Sequence, residues 1–385
     1  MKTLCVEGWR GVNHSIAMVN QYQLLEMARR PGWALFHRDA PWFMPHWKPG
    51  ELDSGFTPQQ QALIAGLPAP SEGQTFDCVL RIASPVRPPR PGEARRTLTF
   101  MVTEFGLGER SFDPPGLPPA TWTSNEDFIV TPSRWSRERL ADHGFDPARI
   151  HVVPHGFRAD TFAPLPPEER AAARAQLGIG EGETLFTNVG VSTWNKGLDL
   201  LLLAFARLRA SGLPVRLILK DHKALYGVGV EGLIASLANQ VPLLGSPQVT
   251  SGISVLSGSL NLPQLRRLYA ISDAYVSPYR AEGFNMPVLE ALGCGTPVIT
   301  TAGGATDDFV PHGLVHRIAS RPGTREDAPQ VQGRFVVPDL EDLTEAMARI
   351  ARGERPDAAT RSAVRARLAE DYAWSAVTAR LMSLC

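Results

Sequence analysis

Residues 273–307 read DAYVSPYRAEGFNMPVLEALGCGTPVITTAGGATD. The apolar run ending in VSP predicts a short buried strand. A loop carrying Arg280 and Glu282 follows, and Gly283, Phe284 and Asn285 lead into a helix over Met286–Leu292 that holds Glu290. The next strand spans Pro297–Thr300, and Gly303-Gly304 closes the unit. Strand, helix and strand at this spacing indicate a parallel sheet, because parallel neighbours need a crossover helix between them.

The alternation continues outward. Thr184–Val189 and Val215–Lys220 read as strands, a further strand starts at Val255–Leu256, and helices are expected over Gly197–Ala210 and Leu262–Ile271. In the first half, strands are expected at Thr3–Glu7, Cys78–Ile82, Leu98–Val102, Phe128–Thr131 and Ile150–Val153. Helices are expected from about Ser15 to Arg30 and from Ser133, as cap, to His143. Residues 40–73 are rich in Pro and Trp and read as a loop with a short helix near Pro58–Ala65. A proline-bearing linker, 157–182, parts the two runs. The pattern is α/β, with two doubly wound domains.

The chain has 385 residues, enough for about two domains. Its 39 basic and 39 acidic residues cancel, which argues against a dedicated nucleic-acid binder. No long apolar stretch suggests a signal peptide or a membrane span. The basic stretches Arg87–Arg96 and Arg134–Arg139 are candidates for contact with a membrane surface, with a solvated face as the simpler reading. Cys5, Cys78, Cys294 and Cys385 lie far apart in sequence and form neither a zinc pattern nor a disulfide framework. Reduced thiols in a cytoplasmic protein are the expectation.

In open parallel sheets, ligands bind beyond the carboxyl ends of the strands. Three segments of the second half stand there. TNVGVSTWNKG, 187–197, brings Ser192 and Lys196 to a helix entrance, where free N–H groups and the helix dipole favour an anion. Glu282 and Glu290 flank a helix start and converge as acceptors for vicinal hydroxyls, with Arg280 beside them. Acids at a helix start also suit the dipole alone. Gly303-Gly304 allows either close approach to a ligand or a plain tight turn.

Together these residues resemble glycosyltransferase family 4, retaining enzymes of the GT-B architecture. The resemblance rests on the E-x7-E pair Glu282 and Glu290, the run GTPVI with its Gly-Gly, the helix start NKGLD, and Pro154-His155-Gly156 at the domain junction. The final YAWSAVTARLMSL resembles that family's returning C-terminal helix. The strong match covers about residues 150–310.

The resemblance implies two Rossmann-like domains facing across a cleft. The N-terminal one would take residues 1–157 plus a helix from about 366 to 385, on the acceptor side. Residues 158–365 would bind the nucleotide-sugar. It implies sugar transfer from a nucleotide-diphosphate donor to a glycan, lipid-linked or small-molecule acceptor, without cofactor or metal. Lys196 would neutralise the leaving diphosphate, Glu290 would hold the ribose and Glu282 would lie beside the donor sugar. Gly283, Phe284, Asn285 and Met286 would line the donor at the helix start. Gly8, Trp9 and Gly11 would close over the phosphates.

There are departures from the family. Val191 stands where an arginine is usual, with Arg280 as a substitute. No histidine follows the strand near FMVTEFGL, 100–107, so either Glu104 or His14 is the candidate there, each also readable as a cap or core group. Trp42 and Trp47 are further candidates for stacking on a sugar. The competing functions are a nucleotide-sugar epimerase or hydrolase of the same fold, and a non-catalytic subunit.

Overall fold

The computed structural model describes residues 1–12, 14–42, 56–124, 126–221, 223, 229–311 and 313–385. The chain divides into two compact units, Met1–Gly156 with Tyr372–Cys385, and Phe157–Asp371.

The first unit is a six-stranded parallel sheet: β1 (Lys2–Gly8), β2 (Trp33–Asp39), β3 (Phe76–Ile82), β4 (Ala94–Phe100), β5 (Phe128–Thr131) and β6 (Ile150–Val152). The spatial order is β2-β1-β3-β4-β5-β6. β2 escaped the sequence reading. The helices Ser15–Met27 and Pro58–Ala65 form as expected, the latter with Thr57 and Gln60 in a reciprocal capping box. Ser133 caps Arg134–Asp142, its Oγ accepting from the Ser136 N–H. Trp374–Met382 belongs to this unit; Trp374 stacks on Tyr22 at 4.9 Å. At the junction, a Cβ on Gly156 would lie 2.8 Å from that indole, so only glycine fits. The preceding helix, Ala358–Tyr372, lies in the second unit apart from its last residue, so the chain returns near Tyr372 rather than near 366.

The second unit holds β7 (Thr184–Val189), β8 (Val215–Lys220), β9 (Ile253–Leu256), β10 (Ala274–Ser277), β11 (Val298–Thr301) and β12 (Val315–Ile318), all parallel. The order is β12-β11-β10-β7-β8-β9. Its core joins Phe186, Leu217, Val276 and Ile299 of the strands to Leu201 and Phe205 of the helix Leu198–Ala210. The strands read as continuous apolar runs because helices cover both faces.

Two features of this fold are not visible in the sequence. Cys78 and Cys385, 307 residues apart, bring their sulfurs to 2.6 Å as buried free thiols. Sequence distance concealed this contact. The basic stretch at 87–96 stays largely solvated, as expected, but its arginines are paired with acids of other segments. Arg90 holds Glu7 at 2.6 Å, Arg87 holds Asp113 at 2.8 Å, and Arg96 holds Glu126 at 2.9 Å. Glu7 also pairs with Arg38 of β2, and Glu93 with Arg81 of β3, so this loop straps the sheet. In the other basic stretch, Arg139 pairs with Asp142 at 3.0 Å. Among the described residues no helix is long and apolar enough to cross a membrane.

Candidate functional site

In the second sheet the chain reverses its strand order between β7 and β10. Crossover loops depart in opposite directions there, leaving a crevice at the strands' carboxyl ends. The loop after β7 carries Ser192 and Lys196; the loop after β10 carries Arg280 and Glu282. Ser192 and Val191 are half-buried in the first loop.

The two loops interlock. Gly197 has φ 68°, and a Cβ there would fall 1.9 Å from the Pro278 carbonyl oxygen. The Asn195 carbonyl accepts from the Arg280 N–H at 2.7 Å, and its side-chain amide donates to the Ala281 carbonyl at 3.1 Å. Lys196 Nζ thereby sits 2.8 Å from Glu282 Oε1, an ion pair on largely buried side chains. The expectation that Lys196 and Glu282 share a crevice follows from this clasp.

Arg280 corrects the sequence reading. Its two terminal nitrogens grip Asp199 at 2.8 and 2.6 Å, one of them also donates to the Trp194 carbonyl, and the guanidinium lies 4.6 Å over the Trp194 ring. A bidentate, stacked guanidinium is a fixed brace. It orders the loop instead of replacing the arginine absent at Val191.

The helix Met286–Gly293 begins at Asn285, whose φ of 79° and ψ of 67° make it the only non-glycine in the left-handed region among the described residues. Its Nδ2 donates to Ser277 Oγ at 2.9 Å, which holds the kink. Such a conformation costs of order 1–3 kcal/mol and collects at ligand sites. The kink aims the first N–H groups of the helix, from Met286 on, out of the strand end. Gly283 precedes it, and Phe284 is buried against Phe309 at 4.7 Å. The Phe284 ring is therefore part of the packing beneath the loop. Glu290, half-buried one turn along, accepts from Tyr269 Oη at 2.9 Å. Burial pushes its carboxyl up to about 7, with the Tyr269 bond opposing the rise.

The two open readings of Gly303-Gly304 resolve toward internal packing. Gly303 has φ 78° and donates to Asp307 at 2.7 Å, while a Cβ on Gly304 would strike the Tyr279 hydroxyl at 2.5 Å.

In the first unit several expectations change. Trp9 is 1% exposed and its Nε1 donates to the Pro41 carbonyl at 2.8 Å, so its ring fills the core and offers no face to a ligand. Gly8 is required by its neighbours: a Cβ there would stand 2.8 Å from both the Asn20 amide and the Ile82 carbonyl. Gly11 donates to Gln21 with φ 81°. His14 caps the helix Ser15–Met27 through Nδ1, and burial pushes it down to about 4, leaving it neutral at pH 7. Glu104 is half-buried, and its carbonyl accepts from Trp135 Nε1 at 2.7 Å. Trp47 lies outside the described residues.

Sequence reasoning missed a polar hollow in this unit. Its strand order reverses between β1 and β3. There a cavity of about 130 Å³ is lined by Glu7, Trp42, Arg81, Ser84, Arg87 and Thr99 among others. Thr99 Oγ1 and Arg81 Nε are buried and without a hydrogen-bond partner. The register across β1, β3 and β4 aligns Glu7, Arg81 and Thr99. The alternation of polar groups at strand ends was the available signal.

Comparison with known proteins agrees with this geometry. The family described as glycosyl transferases group 1 matches residues 183–352. D-inositol 3-phosphate glycosyltransferase of Mycobacterium sp. (strain KMS) is 32% identical over 190 residues, 49% of this chain and 40% of the relative. The protein of the same description from Mycobacterium avium (strain 104) is 29% identical over 256 residues, 66% of this chain and 53% of the relative. The matches thus span roughly half or less of those relatives' length. Among solved structures, a glycosyltransferase from Rickettsia africae ESF-5 superposes with a TM-score of 0.69 at 12% identity, covering 100% of this chain and 97% of that one. Anabaena HepE, solved with UDP and glucose, gives 0.67 at 13% identity, covering 100% and 99%. Those likenesses establish the fold as GT-B. The matched segment encloses Lys196, Glu282 and Glu290, so the second unit is similar to glycosyl transferases group 1 in the part that carries the candidate site.

Proposed function

We propose that this protein is a retaining glycosyltransferase, moving a sugar from a nucleoside-diphosphate sugar to an acceptor bearing a hydroxyl. The Lys196–Glu282 pair at the β7/β10 reversal supports this most directly. A donor diphosphate draws Lys196 away from Glu282 and is neutralised by it as it leaves. Charge developing on a leaving group in an enclosed site is stabilised best by a preplaced cation. Backbone N–H groups from Gly283 to Met286 receive donor oxygens. Glu290, held by Tyr269, accepts from the ribose hydroxyls.

Solved HepE carries UDP and glucose, which supports a uridine donor here. The hollow at the β1/β3 reversal suits the acceptor: Trp42 offers a ring, Thr99 and Arg81 offer unmet hydrogen-bonding groups. The acceptor class is a sugar-containing or lipid-linked molecule. Four free cysteines fit a reducing, cytoplasmic setting.

Lys196 supplies the charge that a metal supplies elsewhere, so turnover needs no metal and survives EDTA. The experiment is a thermal-shift panel of nucleotides and nucleotide-sugars, followed by turnover with the best donor and NMR of the product anomer. A true donor at 100 times its Kd adds about 2.7 kcal/mol. An inverted anomer, a donor panel without any shift, or EDTA inhibition reversed by magnesium overturns the corresponding part of the reading.

A further inference from the structure

A second cavity, about 970 Å³, opens in the Phe157–Asp371 unit between the helices Pro167–Gln176 and Ala358–Tyr372. It lies at the wrong end of the sheet for the donor. Its walls include Asp273, just before β10, and Thr296-Pro297, just before β11. Lys196 and Glu282 follow the opposite ends of strands, at least one strand length, about 13 Å, away.

The lining is unbalanced in charge. Arg170, Arg174, Arg355, Arg361 and Arg365 face two acids, Glu181 and Asp273. Three of these guanidiniums crowd one carboxylate: Arg170 and Arg174 reach Asp273 at 2.9 and 3.0 Å, and Arg355 stands 3.6 Å from it. Burial lowers the Arg355 pKa; Asp273 offsets this, and the charges of Arg170 and Arg174 add to it. Arg361 makes no side-chain hydrogen bond or ion pair among the described residues. Arg170, Arg174 and Arg365 cap backbone carbonyls with part of their donor sets. The Arg361 guanidinium has no such duty.

We infer that this cavity binds a small molecule carrying two phosphate groups. The lining's own acids leave a surplus of about three positive charges. One phosphate brings roughly −1.5 to −2, so two are needed to balance it. Guanidinium forks match phosphate oxygens in pairs, which a lone chloride does not satisfy. The volume exceeds what pyrophosphate alone fills, leaving room for an organic body.

The test uses inorganic pyrophosphate and isothermal titration of the full chain. The Lys196→Ala variant removes the donor-site cation, so remaining binding reports the second cavity. The expected result is saturable binding in Lys196→Ala, at least tenfold tighter than inorganic phosphate. Adding Arg355→Ala and Arg361→Ala should weaken it tenfold or more. If that variant fails to fold, Lys196→Ala with Arg361→Glu gives the same reading, since Arg361 makes no side-chain hydrogen bond or ion pair among the described residues and only its charge near Asp357 is lost. Absent heat in Lys196→Ala, an unchanged Kd in the arginine variants, or phosphate binding as tightly as pyrophosphate overturns the inference. Because donor turnover is not the readout, failure here leaves the transferase proposal standing, and the reverse.

Discussion

Replacing Glu290 by glutamine should trade donor affinity for stability, and the trade should depend on pH. The Glu290 carboxyl titrates near 7 in the folded chain, against an ordinary 4.5, because burial penalises its charge. Between those values the unfolded chain has already released the proton that the native chain still holds. The unfolded state binds fewer protons, so stability falls as pH rises from about 4.5 and the loss is complete above about 8. A shift of this size corresponds to about 3 kcal/mol. Glu290 keeps some exposure, so about 1–3 kcal/mol is the expected cost of its charge at pH 8.5. Glutamine has the same shape, never ionises, and keeps an oxygen for the Tyr269 hydroxyl at 2.9 Å. Glu290→Gln should therefore match the wild type at pH 5 and melt higher at pH 8.5 by roughly 3–10 °C. Ribose hydroxyls donating to the ionised carboxylate would pull its pKa down on binding. Wild-type donor affinity should then rise with pH through about 7, and Glu290→Gln should lose that slope along with about tenfold in donor KM. Scanning fluorimetry and donor kinetics at four pH values measure both effects. Melting curves that run parallel for the two proteins across pH 5 to 8.5 would refute the buried-charge account.

Lys196→Ala should lower kcat and kcat/KM together by about 100-fold with a smaller change in donor KM, as expected for a charge needed at the transition state; steady-state kinetics with varied donor decide it. Gly197→Ala places a methyl 1.9 Å from the Pro278 carbonyl and should cost more than about 2 kcal/mol in a urea titration. Trp9→Phe removes a buried bond to Pro41 and should cost about 1–3 kcal/mol while leaving donor KM unchanged. A tenfold rise in donor KM without loss of stability would restore Trp9 to the binding surface.

What could be read in the sequence followed from local chemistry. The strand, kink and helix around Glu282 and Glu290 are contiguous, and their periodicity is carried by adjacent residues. Lys196 was legible for the same reason, as a cation before a helix. The failures share a different cause. Arg280 looks like a ligand arginine until Asp199, 81 positions away, is seen to hold it. Trp9 follows a strand end and a glycine, a pattern equally suited to a binding ring or a core plug; Pro41 decided it. The strap at 87–96 reads as a basic surface because its partners, Glu7 and Asp113, lie on other elements. β2 was hidden because most of its side chains are only partly buried, which weakens the alternation that marks a strand.

The Gly197–Pro278 contact bears on how this protein can be rebuilt. Two loops from different strands form one rigid cassette, with a carbonyl seated where any side chain would be. Exchange of a single loop with a homologue, the usual route to altered donor choice, would import one half of that joint without its counterpart. Chimeras should therefore move residues 190–199 and 278–285 as a pair, and a library that diversifies either loop alone will be dominated by unfolded members.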